Sequence, residues 1–177
     1  MLRILLISAG AILETLFIMR SYRRRDGMSV FLKTAASLVF VLLGLLELRR
    51  TGTSVYGELV VAGLTLGMLG DLLLALRYLG QKLHHFFFAA GSVSFFLGHV
   101  VYIASVLFMT ACAATGAFIS SSRALFLFFV GGVCFSASDN MLVVLSFGKD
   151  DSPYRNAVLH VLYYMAQIFI ALTIEFA

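Results

Sequence analysis

The chain has 177 residues, 61% of them hydrophobic and only 12% charged, with a formal net charge of +4. Thirteen Lys and Arg with nine Asp and Glu are too few to coat a soluble domain of this length. The basic excess lies in short loops between apolar runs, where it reads as a topology signal and not as a nucleic-acid footprint.

Six apolar runs follow one another, each near the length of about 20 residues that a spanning helix needs. Lipid offers the backbone no hydrogen-bond partner, so such runs are expected as helices. The expected fold is all-α, a polytopic transmembrane helix bundle of about six spans, forming a single transmembrane domain over residues 1–177.

The first run covers 2–19 and leads into Arg20, Arg23, Arg24 and Arg25. A basic cluster after an apolar run acts as a stop-transfer anchor, so this segment reads as a retained helix and not as a cleaved signal peptide. Glu14 sits within it with no obvious role. The second run, 28–48, carries Lys33 about one turn in; the lysine can snorkel or serve a site. The third, 56–78, contains Asp71. The fourth is expected over 85–109, but apolar residues continue, and 110–119 are rich in Ala, Thr and Gly. That stretch fits a helix extension, a re-entrant piece or a packed loop. The fifth, 123–147, contains Asp139. The sixth, 157–176, carries His160, Tyr163, Tyr164 and Gln167 as one stripe at helical spacing.

Loop charges set the orientation. Loops 20–27, 77–85 and 148–156 hold eight basic residues, against four (Arg3, Arg49, Arg50 and Arg123) on the other side. The first set is expected to be cytoplasmic, with both termini non-cytoplasmic. The expected location is the plasma (inner) membrane of a bacterium.

Ionisable groups inside spans cost a few kcal/mol and are commonly functional. Arg3, Glu47 and Glu58 lie near span ends and are expected to snorkel or meet water. His84 and His85 read as interfacial. Asp71 and Asp139 lie deeper, six and ten residues before Arg77 and Lys149. Each shares a helical face with small residues: Gly63, Gly67 and Gly70 for Asp71, Gly132 and Ser136 for Asp139. Small residues allow close helix approach, so both aspartates are expected to face the bundle interior. Lys33, His99, Tyr102 and the stripe of His160, Tyr163, Tyr164 and Gln167 fall at a similar level, which predicts one inner polar layer. The tyrosines and Gln167 equally suit plain interhelical hydrogen bonding, and His99 a satisfied core histidine.

The order of these segments resembles the YhhN-like lysoplasmalogenase family. The resemblance rests on Lys33, on GLTLGMLGDLLLAL with Gly70–Asp71, and on FFFAAGSVSFFLGHVVYIASVLF with Phe88, Gly91, Gly98–His99 and Tyr102. It continues in GGVCFSASDN with Phe135, Ser138 and Asp139, and in VLYYMAQIFIAL with Tyr163 and Gln167. Each motif alone is weak; their shared order over most of the chain is specific. Two departures stand out. Thr34 follows Lys33 where the family usually has proline. The family also usually has about eight spans, and the region between Met109 and Arg123 is short for the usual helix pair.

The resemblance implies hydrolysis of the vinyl ether bond of a lysoplasmalogen, a lysophospholipid, to a fatty aldehyde and glycerophosphoethanolamine or glycerophosphocholine. It calls for no cofactor and no metal, and its partners are that substrate and membrane lipids. Such chemistry needs an acid that keeps its proton and a second carboxylate that stabilises the cation and activates water, as in glycosidases. Asp71 and Asp139 are assigned this pair, without deciding which is the acid. Lys33 would bind phosphate or hold one carboxylate ionised, and His99, Tyr102, Tyr163 and Gln167 would place the headgroup or the water.

Other classes remain. A non-catalytic lipid or proton-coupled small-molecule transporter would also use intramembrane aspartates with a lysine, although little internal repeat is visible. A zinc hydrolase would have to draw on four histidines, none in a His-x-x-x-His pair. Cys112 and Cys134 show neither metal-ligand spacing nor a disulfide framework. No G-x-S-x-G elbow occurs.

Overall fold

In lipid every backbone amide must find its partner within its own segment, and the chain answers with helices throughout. A computed structural model describes residues 1–24, 26–79, 81–114, 121–147 and 152–176. It contains six α-helices: α1 (Leu2–Arg23), α2 (Gly27–Thr51), α3 (Val55–Leu76), α4 (His84–Ala114), α5 (Ser121–Phe147) and α6 (Pro153–Leu172). Short 3₁₀ turns precede α4 (Gln81–Leu83) and follow α6 (Thr173–Phe176). There is no strand among the described residues. Five helices are long and apolar enough to cross a membrane, and the apolar described part of α5 is Phe126–Leu142. The fold is an all-α polytopic bundle.

Local chemistry sets the helix starts. Asp26 caps α2 by accepting from the Ser29 backbone N–H at 3.1 Å, and Ser54 caps α3 by accepting from Gly57 at 3.1 Å. The Arg20 guanidinium beside Asp26 holds its carboxyl below the usual range, so the cap stays charged until strongly acidic pH. Gly52, at φ +90°, turns the chain out of α2 as no other residue would without strain. Pro153 opens α6, where its missing N–H costs nothing.

The longest helix settles the fourth run in part. α4 has 31 residues, about 46 Å at about 1.5 Å per residue. Positions 110–114 are thus a helix extension; 115–119 lie outside the described residues, as do Arg25 and Lys149 of the basic loops.

Glycines decide which helices touch. Gly98 of α4 faces the Gly63 carbonyl oxygen, and Gly91 faces the Gly70 carbonyl oxygen; Cβ atoms there would stand 3.4 and 3.2 Å from them. In return a Cβ on Gly63 would lie 2.2 Å from the Tyr102 ring, and one on Gly70 2.8 Å from Phe95. Two heptad-spaced glycines on each helix therefore interlock α3 and α4 almost backbone to backbone. α5 packs on α6 through Gly131, α1 packs on α2, and α6 runs through the centre against α1, α2 and α3.

One end is tied by charge. Arg3 makes a bidentate pair with Glu47, both bonds at 2.8 Å, and reaches Glu175 at 2.8 Å. Glu47 is fully buried; it neither snorkels nor meets water, and instead it satisfies its charge on Arg3 and Arg50. The clamp joins α1, α2 and the last turn, so the two termini lie at the same end of the bundle. Phe40, Leu43, Tyr56, Val60, Leu64 and Ile174 form the packed core behind it. Outward, Ile4, Phe31, Phe96, Phe126 and Phe129 are exposed, which suits a surface that meets acyl chains.

Gly63→Ala is expected to lower stability by about 1–3 kcal/mol, because the new methyl must push the Tyr102 ring off α3. Gly132→Ala, with nothing within 4 Å of its Cβ position, should melt like the parent. Thermal unfolding of both variants in detergent checks this.

Candidate active site

Lys33 lies about two turns inside α2 and is 4% exposed. An ammonium cannot stay there alone, and three helices bring it partners. From α1, Glu14 Oε1 accepts from its Nζ at 3.3 Å. From α6, His160 Nδ1 stands at 3.4 Å; since an ammonium only donates, this nitrogen accepts. From α3, Asp71 Oδ1 lies at 3.5 Å. The rings of Tyr163 and Phe17, at 4.7 and 5.3 Å from Nζ, cover the remaining sides.

Asp71 is 5% exposed. Its Oδ2 shares a short hydrogen bond with Ser37 Oγ, which sits one turn beyond Lys33 on the same face of α2. Ser37 Oγ also lies 3.0 Å from the Lys33 carbonyl oxygen. The Tyr163 hydroxyl is directed toward Asp71 but closes no hydrogen bond of normal geometry among the described residues.

Asp139 lies on α5 and is half-buried, its side chain 39% exposed. Across from it on α4, His99 Nδ1 donates to the Phe95 carbonyl at 2.8 Å. That fixes the ring so that Nε2 faces Asp139 Oδ2, at 3.7 Å. Phe135 packs edge-on against the same ring.

A cavity of about 600 Å³ joins these groups. It runs from the α1–α2, α3–α4 and α5–α6 connections at one end of the bundle down to Lys33, Asp71, Asp139 and Tyr163. Arg23, Arg24, Arg77, His84 and Asn156 surround its mouth, and Leu74, Phe95, Leu142 and Leu145 form apolar walls. The volume suits a small amphipathic ligand. Arg77 is held in place by its stacking on Tyr78 and a 2.5 Å bond to that hydroxyl.

Of the residues expected at a site, Asp71, Asp139, Lys33 and Tyr163 line one cavity, and His99 adjoins it through Asp139. Tyr102 and Gln167 do not line it. The Tyr102 hydroxyl donates to Gln167 Oε1 at 3.0 Å in a fully buried layer behind Tyr163, where both brace α3, α4 and α6. The small-residue face of α5 also differs from expectation. Ser136 is exposed and Gly132 faces open space, while Gly131 meets α6 and buried Ser138 lines the cavity. A one-residue difference turns a helical face by about 100°, since 3.6 residues make one turn.

The sequence alone does not assign four contributors to the site. Glu14 is 4% exposed against Lys33; its signal was an acid in mid-run. Ser37 was detectable as the residue four after Lys33. The His160 contact with Lys33 and the placement of Arg77 depend on how α6 and α3 are set against their neighbours, which no local pattern states. Among the described residues no cluster of three or more His, Cys, Asp or Glu has metal-binding geometry.

A family model described as the YhhN family matches residues 28–108 and 101–174. No curated protein and no solved structure matches the chain. The match begins after α1, so Glu14 lies outside it.

In a chain with Cys112 and Cys134 replaced by alanine, Asn156→Cys and Asp139→Cys are expected to react with a polar thiol reagent in detergent. Ser37→Cys should stay protected until the protein unfolds. Labelling of position 139 as slow as that of position 37 would contradict the open cavity.

Proposed function

The chain belongs to the YhhN family, and from that premise we propose that it is a lysoplasmalogenase-like hydrolase. It cleaves the vinyl ether of a lysoplasmalogen to a fatty aldehyde and a glycerophosphoethanolamine or glycerophosphocholine. The observation that carries this reading is the single cavity that puts two carboxyls of different environment, Asp71 and Asp139, below a basic mouth.

The geometry suits the reaction. The alkenyl chain lies along Leu74, Leu142 and Leu145, and the phosphate meets Arg23, Arg24 and Arg77, whose guanidinium groups match its oxygens. A carboxylic acid protonates the alkene carbon distal to oxygen. The resulting oxocarbenium ion is stabilised by the second carboxylate, which also takes a proton from the attacking water. The hemiacetal then collapses, with its ether oxygen protonated, to the aldehyde and the free glycerol hydroxyl. One water is consumed overall. Asp139, half-buried and facing His99 Nε2, suits the water-activating role. Tyr163 closes the floor of the cavity, while Tyr102 and Gln167 hold it from behind. Lys33 is committed to Glu14, His160 and Asp71, which favours charge control of the carboxyls over phosphate binding.

The same reading places the cavity mouth on the cytoplasmic side of a bacterial plasma membrane, because the mouth carries the basic loops. Both termini, at the opposite end, face away from the cytoplasm. A reporter fused to the C-terminus that is active only outside the cytoplasm supports this; a cytoplasmic C-terminus overturns it.

Purified protein given 1-alkenyl and 1-acyl lysophospholipids should release aldehyde from the alkenyl lipid alone. Fatty acid release would make it an ester hydrolase, and flux into proteoliposomes without hydrolysis would make it a carrier. Asp71→Asn and Asp139→Asn should each lower kcat by roughly 10²–10⁴-fold while the protein keeps its helical circular dichroism. Full turnover in either variant defeats the assignment.

A further inference from the structure

The buried cluster holds more negative groups than positive ones. Lys33 brings one positive charge, and Glu14 and Asp71 bring two carboxyls, all three about 95% buried. His160 Nδ1 lies 3.4 Å from the ammonium and 3.7 Å from Glu14 Oε1; the nearer neighbour can only donate, which favours a neutral ring that accepts from it over an imidazolium that would restore the balance. With both carboxyls ionised, the cluster would carry one uncompensated charge in an apolar bundle, where such a charge costs several kcal/mol. One proton on one carboxyl removes it.

Hydrogen bonding indicates which carboxyl holds that proton. Lys33 makes its hydrogen bond to Glu14, at 3.3 Å, while Asp71 lies further off at 3.5 Å. Ser37 Oγ has a single hydrogen and two neighbouring oxygens, Asp71 Oδ2 and the Lys33 carbonyl. A serine hydroxyl within a helix commonly gives its hydrogen to the carbonyl one turn back, and in that arrangement its lone pairs are left facing Asp71. The contact with Asp71 is then completed by a hydrogen on Oδ2, accepted by the serine oxygen. Glu14 Oε2 has no hydrogen-bond partner among the described residues, so a proton there would have nothing to bond to.

We propose that Glu14 is the standing counter-ion of Lys33, a positioning residue that leaves Asp71 as the protonated acid of the site. The inference rests on the enzyme reading and deepens it, dividing the roles as Asp71 acid and Asp139 water-activating carboxylate. Asp71 Oδ2–H gives its proton to the alkene carbon, and the C=C π pair forms the new C–H bond. The carboxylate left behind stays 3.5 Å from Lys33, while the substrate carries the positive charge. Ser37 holds the acid proton toward α2 until substrate draws it out. The other titratable groups facing Asp71 are Tyr163 and His160 from α6 and Asp139 from α5.

Infrared spectroscopy of the purified protein tests where the proton sits, with or without substrate. A protonated carboxyl shows a C=O band above the carboxylate region, shifted in D₂O. Asp71→Asn should remove one such band and Asp139→Asn should leave it. Ser37→Ala should move it to higher frequency as its hydrogen bond is lost. Glu14→Gln should abolish it, because Asp71 then becomes the sole counter-ion of Lys33, whereas Glu14→Asp should keep it. In turnover, Glu14→Gln should lower kcat by about 10²-fold, the low end of what a general acid supplies, with KM unchanged.

A band that persists in Asp71→Asn and ignores Ser37→Ala puts the proton on another carboxyl and overturns the proposal, as does the absence of any band sensitive to Asp71→Asn. The expected bands in a protein that releases no aldehyde would refute the hydrolase reading alone. Aldehyde release with the band elsewhere would refute only this inference.

Discussion

The rest of the site depends on one constraint: an ammonium group on α2 has been taken out of water. Lys33 is 4% exposed at the inner end of the cavity, so most of its charge must be met by the protein. Glu14, Asp71 and His160 meet it from three other helices. Each of these contacts is a distance restraint between α2 and a neighbour. A misplaced helix would leave a bare charge in an apolar core, which costs far more than a lost van der Waals contact. The polar cluster thus sets the arrangement of α1, α3 and α6 around α2, and the same groups supply the chemistry proposed for the cavity.

Apolar packing provides the complementary constraint. In lipid, helix association draws little from the hydrophobic effect and depends on close contact. The interlocked glycines of α3 and α4 supply that contact and open space for Phe95 and Tyr102 to lie across α3. With α4 pressed onto α3, the buried pair of Tyr102 and Gln167 fixes α6 behind Tyr163. Asp71, one residue after Gly70, is carried on this rigid pair, so its carboxyl is presented at a fixed place beside Ser37. Asp139 is less buried, its side chain 39% exposed. Its α5 backbone is anchored to α6 through Gly131, while its side chain faces the cavity and His99. A tightly held carboxyl and a wetter one suit the two different tasks proposed for them.

Much of this was legible in the residues. The six apolar runs match the six helices to within a few residues at most ends, because run length in lipid leaves the backbone little choice. Lys33, Asp71, Asp139 and Tyr163 stood out as polar groups at a common depth, and they line one cavity. Glu47, near a span end, is sealed from water for a physical reason. Distance from a span end predicts water contact only if no partner arrives first, and Arg3, 44 residues away in the chain, arrives from α1. Both faces of α5 carry small residues, and only its rotation against α6 selects Gly131 and Ser138 over Gly132 and Ser136.

By itself, then, the sequence determined the class of the molecule, the number and approximate limits of its helices, and that Lys33, Asp71, Asp139 and Tyr163 would lie at one inner level. These follow from the one-dimensional rule that a run must satisfy its own backbone. The tertiary structure decided the pairings: Glu14 with Lys33, Ser37 with Asp71, His99 with Asp139, Tyr102 with Gln167. Pairing depends on the rotation and neighbour of each helix, and those are set by contacts between residues far apart in the chain. It also decided that a cavity exists and that the arginines read as topology signals surround its mouth.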